Sequence, residues 1–272
     1  MVVVTEPPSR QFAADGPVQI VATVEAGTVR LRAGACDVAS VTVRAQRPDR
    51  AEDRDAAGQV RVAFLNGTLR VAGAGRRRVR PTGSPGRVEL DITVPSGSGA
   101  RLEVRYGGIR CAGRLGDCVL ETAYGDIRLD RAQDVRASTT GGDIDVGDVA
   151  GSVELTSTHG SIRIGEVCGR CRLRSTYGDI VVRASVGRIA ARSAYGRVEV
   201  GSAGAGTVDL ATTHGHIEVG IPPGTAAAAD LLTDRGRVRT GLTQTRDAPA
   251  GHPRRLDLHA RSTRGDITVH RA

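Results

Sequence analysis

Between Gly116 and Val219 the chain repeats one phrase, Gly-x-apolar-x-apolar, in steps of about nine residues. Clear copies are Gly151-Ser-Val153-Glu-Leu155, Gly160-Ser-Ile162-Arg-Ile164, Gly178-Asp-Ile180-Val-Val182 and Gly196-Arg-Val198-Glu-Val200. No other feature narrows the fold so far. The apolar residues are two apart, so a strand sends both to one face, and the Arg, Glu or Asp between them suits the wet face. Glycine opens each phrase, where a chain reversing direction calls for backbone angles that other residues avoid. The four or five residues between apolar pairs are enough for a turn and too few for a helix.

Alternate copies differ, which makes the unit about eighteen residues long. One class follows Ser/Thr-x-Tyr/His, as in Thr122-Ala-Tyr124-Gly125, Ser157-Thr-His159-Gly160 and Ser175-Thr-Tyr177-Gly178. The other follows a small apolar turn, as in Val149-Ala-Gly151 and Val167-Cys-Gly169. Two alternating turns imply two edges, with a coil of two short strands stacking on the next. The expected fold is all-β, a parallel β-solenoid of eighteen-residue coils. Crossover handedness predicts a right-handed wind. Each coil buries a few aliphatic side chains worth about 1.5–3 kcal/mol apiece. That does not offset about 1–2 kcal/mol of backbone entropy per ordered residue, so coils stabilise one another and the ends need caps. The near absence of large rings, with two Phe and no Trp, fits so narrow a core.

Residues 1–95 read as irregular β coils and a cap, and 96–272 as the regular array. Gly27-Thr-Val29-Arg-Leu31 already carries the phrase, and Asn66-Gly67 between Phe64 and Leu69 predicts a hairpin. Loops are expected at 47–59 and 72–86. Later glycine spacings lengthen to 21 and 29 residues, marking insertions around 222–228 and 243–253. The last strand, Asp266–Val269, is expected to end the array with nothing covering it. The N-terminus, Met1–Pro8, lacks a basic region and an apolar core, and no stretch reaches transmembrane length, so a cytoplasmic chain is expected.

Stacked coils turn equivalent positions into ladders. Before the first-class glycine lie Tyr106, Tyr124, His159, Tyr177, Tyr195 and His214; after it lie Asp126, Asp143 and Asp179. These form a candidate binding edge in which Tyr and His offer ring faces and Asp accepts hydrogen bonds. The competing reading is side-chain stacking that stabilises a turn. The Ser/Thr column, including Thr122, Ser157, Ser175, Ser193 and Thr212, is expected to hydrogen-bond the turns. Calcium binding of the β-roll kind would want a double glycine and an Asp in each turn, which most copies lack. Cys168-Gly-Arg-Cys171 is a lone Cys-x-x-Cys without a second pair, so no metal site is expected. Cys111, Cys118 and Cys171 occupy inward positions and read as core. No nucleophile elbow, phosphate loop or zinc-protease motif is present, so neither catalysis nor a cofactor is expected.

All 38 basic residues are Arg, and the net charge is +8. Most alternate with acids on outward positions, which argues against a nucleic-acid surface. The one run, Arg76-Arg77-Arg78-Val79-Arg80, lies in a Gly/Pro-rich stretch without aromatic partners.

The recurring Ser/Thr-x-Tyr/His-Gly-Asp-Ile-x-Val phrase, in Thr122–Leu129, Thr139–Val146, Ser175–Val182 and Ser262–Val269 among others, resembles the DUF4097 family of β-strand repeat proteins. The resemblance covers 100–272 well and implies a β-solenoid with an adhesin-like role and no catalytic residues. The functional expectation is a non-enzymatic scaffold that binds a protein or other macromolecule. The alternatives are a self-assembling element, stacking end to end as in bactofilin-like short-coil β-helices, and an Arg-mediated binder of an anionic partner.

Overall fold

The computed structural model describes residues 9–73, 85–242 and 255–272. The alternating apolar pattern becomes strands almost throughout, and the chain is a parallel β-solenoid in two compact units, Met1–Ala132 and Gln133–Ala272. The Arg76–Arg80 run and the insertion at 243–253 lie outside the described residues, as does Met1–Pro8.

The first unit is built on β2 (Gln19–Gly34), a single strand long enough to supply both arms of a coil; β1 (Ser9–Ala13) precedes it. The strands that follow are β3 (Val38–Ala45), β4 (Arg61–Leu65), β5 (Thr68–Ala72), β6 (Val88–Pro95), β7 (Gly99–Tyr106), β8 (Ile109–Arg114), β9 (Cys118–Tyr124) and β10 (Ile127–Ala132). The first arm of β2 runs parallel between β5 and β7, and its second arm between β6 and β8. β9 and β10 add the next coil, parallel to β7 and β8. On the other side the ladders end in antiparallel strands, with β4 on β5, β3 on β6 and β1 on β3. Asn66 and Gly67 join β4 to β5 with φ of 50° and 69°, the two left-handed residues of the expected tight hairpin.

The 47–59 stretch, expected as a loop, contains helix α1 (Ala51–Gly58), packed against β3 and β6. Glu52 and Asp53 fill its first turn, where the helix dipole favours acids. The Asp53 carboxylate is fully buried and accepts hydrogen bonds from the Arg47 and Arg87 main-chain N–H groups and from the Arg47 guanidinium, at 2.8–3.1 Å. Such a helix is held by one polar anchor and has no apolar stripe, so periodicity could not reveal it.

The second unit begins with β11 (Val135–Gly141), β12 (Ile144–Val149), β13 (Val153–His159), β14 (Ile162–Val167), β15 (Arg170–Tyr177), β16 (Ile180–Tyr195), β17 (Val198–His214) and β18 (Ile217–Ile221). It ends with β19 (Ala226–Arg235), β20 (Val238–Thr240), β21 (Arg255–Arg264) and β22 (Ile267–Arg271). Coils stack in register, so Ile144, Ile162, Ile180, Val198, Ile217 and Ile267 form one buried column. Turns stack closely too: at Gly160, whose φ is +141°, a Cβ would come within 2.0 Å of the Gly142 carbonyl oxygen.

The last strand does not end the array. β21 pairs with β17 on one side and β19 on the other, and β22 lies between β18 and β20. The physical reason is in the inward positions. β21 brings Leu256 and Leu258, both fully buried, whereas the matching positions of β19 are Ala227 and Ala229. The coil that fills the core better goes inside, and the alanine-rich coil is left outermost.

Candidate functional site

The Ser/Thr column positions the edge. Each hydroxyl donates to the carbonyl of the first-class glycine one coil away: Thr122 to Gly107 at 3.0 Å, Ser193 to Gly178 at 3.1 Å, Thr212 to Gly196 at 3.1 Å and Ser262 to Gly215 at 3.0 Å. These buried bonds, with glycine allowing close approach, hold successive turns in one line. The residue two places beyond each hydroxyl therefore stands directly over its counterpart.

In the second unit this produces a four-ring stack. Ring centroids of His159 and Tyr177 are 5.0 Å apart, Tyr177 and Tyr195 5.1 Å, and Tyr195 and His214 4.9 Å, with interplanar angles of 13°, 8° and 10°. Arg264 and then Arg235 continue the column beyond His214. In the first unit Tyr106 and Tyr124 stack at 5.7 Å and 3°, and the Arg105 guanidinium carbon lies 5.2 Å from the Tyr106 ring centroid.

Of the two readings of this column, rings offering their faces or rings stacking on one another, the geometry shows stacking. Near-parallel stacking uses the faces on one another. The tyrosines of the two stacks nonetheless reach solvent: Tyr177 and Tyr195 are each 50% exposed and Tyr124 57%. Among the described residues the phenol oxygens of these three tyrosines have no hydrogen-bond partner. His214 Nδ1 is buried and also lacks a partner among the described residues.

The acidic ladder is more occupied. Asp143 Oδ1 accepts from the Ser161 main-chain N–H and Asp179 Oδ1 from that of Arg197, both at 2.8 Å, so these carboxylates tie one turn to the next. Asp143 also pairs with Arg163, whose guanidinium is pushed up from its ordinary pKa by hydrogen bonds to Asp143 and Asp145. Asp126 pairs with Arg128 at 3.4 Å. His216, at the same ladder position, accepts from the Asp266 main-chain N–H through Nδ1 at 3.0 Å, which leaves its proton on Nε2 when neutral.

Cys111, Cys118 and Cys171 are buried, as their inward positions predict, and burial pushes the Cys118 and Cys171 thiols up to about 12. They are core groups, not nucleophiles. Among the described residues no cluster of three His, Cys, Asp or Glu could hold a metal ion, and no helix is long and apolar enough to cross a membrane.

Several solved structures are similar across nearly the whole chain. A provisionally named adhesin from Bacteroides fragilis is 12% identical, covers 97% of each chain and has a TM-score of 0.44. One from Parabacteroides distasonis is 10% identical over 96% of each chain, with a TM-score of 0.42. A provisionally named lipid-binding protein from the same organism is 11% identical over 97% of each, with a TM-score of 0.49. No curated protein matches the sequence. The Toastrack DUF4097 family model matches residues 18–271, nearly the full length, and the chain belongs to that family.

Proposed function

We propose that the chain is a non-enzymatic binding scaffold whose contact surface is the ring-bearing edge of His159, Tyr177, Tyr195 and His214. One observation supports this: Tyr177 and Tyr195 are half-exposed, and among the described residues their phenol oxygens have no partner, on rings that are otherwise fixed. Stacking explains the rings. Each pair contributes about 0.5–1.5 kcal/mol beyond its buried area, so the column stabilises the turns whether or not anything binds. Stacking does not explain the hydroxyls, since Phe would stack as well. Two hydroxyls one coil apart, on Tyr177 and Tyr195 and on a rigid support, suit a ligand that supplies hydrogen-bond partners at that spacing.

The test separates the two roles. Tyr177→Phe/Tyr195→Phe keeps the stack and removes the hydroxyls; a second variant replaces Tyr124, Tyr177 and Tyr195 by Ala. Immobilised wild-type and variant chains are compared for what they retain from lysate of the source cells, with thermal melts alongside. The Phe pair is expected to melt within about 0.5 kcal/mol of wild type and to lose the retained partner. Retention unchanged in both folded variants would leave the edge a purely structural device.

A further inference from the structure

Stacking collects arginines that look scattered in the sequence. On the outward face of β15 and the second arm of β16, Arg170 lies opposite Arg188 and Arg174 opposite Arg192, with Arg172 opposite Ala190. All five are exposed, and among the described residues none has an ion-pair or hydrogen-bond partner. Like charges directly opposite on neighbouring strands destabilise a sheet. The fold does not require them, because one coil further on the same positions hold Thr207, Asp209 and Ala211.

The second-strand ladder of the same coils is different. Arg163 pairs with Asp143 and Asp145, Arg183 with Asp148 and Glu166, and Arg197 with Glu199, at 3.1–3.4 Å. Charges are neutralised on that side. On the first-strand ladder the ion pairs, such as Arg136 with Glu154 and Arg261 with Asp230, lie to either side of the stripe, and its five arginines are left without one among the described residues.

We propose that this arginine stripe is a docking site for an acidic polypeptide segment in extended form. Along a strand, outward residues recur about every 6.6 Å, so Arg170, Arg172 and Arg174 form a row about 13 Å long. An extended peptide with an acid at every second residue presents carboxylates at the same period, and guanidinium forks match carboxylates in pairs. The surroundings disfavour other anions. A flat anionic membrane would cover the whole ladder and meet Glu154, Asp209, Asp230 and Asp257 on its outward positions, whereas a single extended segment lying over β15 and β16 passes between Glu154 and Asp209. The nearest rings, Tyr177 and Tyr195, are stacked on each other and have no free face for a base.

The test measures binding of the full chain to a labelled short peptide alternating Glu and Thr, by fluorescence anisotropy, against an isomer whose glutamates form one block. The alternating peptide is expected to bind more tightly than the isomer, and to weaken with added salt. Arg170→Gln/Arg174→Gln/Arg188→Gln/Arg192→Gln is expected to bind roughly tenfold or more weakly, and to melt at or above wild type because like-charge repulsion is relieved. Arg163→Gln/Arg183→Gln, on the other ladder, is expected to bind like wild type. The proposal is overturned if the alternating peptide fails to bind, if the blocked isomer binds as well, or if the fourfold variant keeps its affinity. Tighter binding to duplex DNA or phosphatidylserine vesicles than to the peptide would also overturn it.

Discussion

Asp53 has no exposed surface, yet its carboxylate collects two main-chain N–H groups and the Arg47 guanidinium. The Arg47 hydrogen bond does most to hold its pKa below the ordinary carboxylate value, working against burial, which raises it. A carboxylate with a depressed folded pKa adds stability above its unfolded pKa, and that stability is lost as pH falls through the folded pKa. Asp53→Asn leaves the Arg47 and Arg87 N–H groups facing an amide that cannot accept them all. The expected cost is about 1–3 kcal/mol at neutral pH, from urea unfolding. Below about pH 4 the carboxylate of the unfolded chain protonates while the folded one still resists, so the gap should narrow as pH falls from there toward the depressed folded pKa. A gap that stays constant from pH 7 to pH 3 would show that the charge on Asp53 is not what anchors α1. Sequence alone did not point to this residue: in Ala51–Gly58 it is one acid among three, and only the fold shows which is enclosed.

At the scale of elements, the repeat made most of the fold legible. Apolar pairs two residues apart gave the inward face, alternation of two turns gave the coil, and Ser/Thr-x-Tyr/His gave the column in which Tyr177 stands over Tyr195. A repeat is silent, however, about which copies are neighbours. The phrase Gly265-Asp-Ile267-Thr-Val269 can follow Gly215-His-Ile217-Glu-Val219 as readily as Gly236-Arg-Val238-Arg-Thr240 can, and the contest is decided by side-chain volume at inward positions. Leu256 and Leu258 in place of Ala227 and Ala229 were the available signal. The arginine stripe was missed for a related reason. Single residues on alternating strands look solvated until coils lie in register, and Arg170 and Arg188 become neighbours only then. The inserted coil has a measurable consequence: amide hydrogen exchange should follow order in space, not order in the chain. β21 and β22, each paired on both sides, are expected to exchange more slowly than β19 and β20, which precede them in sequence but pair on one side among the described residues. Faster exchange in β21 and β22 would contradict the inserted order.

For the molecule as a whole, the ends of its ladders decide how copies can meet. In the first unit the parallel ladders give way to β1 and β4, antiparallel strands of five residues each. Arg10 donates to the Val62 carbonyl at 3.0 Å, and Phe12 stacks on Phe64 at 5.3 Å, so the only two phenylalanines in the chain fasten these strands together. Short edge strands locked by side chains are poor templates for a further coil. In the second unit the outermost coil, β19 with β20, pairs on one side only among the described residues, and Leu232 and Val238 are 54% and 43% exposed. Such an edge invites another strand. Head-to-tail growth into a filament would require that edge to pair with β1 and β4 of the next copy, whereas two open coils meeting about a two-fold axis close at a dimer. The expected result of light scattering across a concentration series is therefore a rise from the 28.3 kDa monomer to twice that mass and no further. Val238→Lys, which puts a charge on the open edge, should return the protein to monomer with its fold intact. Growth past the dimer would mean that β1 and β4 do not close their end; a monomer at every concentration would mean that the β19–β20 edge is not a pairing surface.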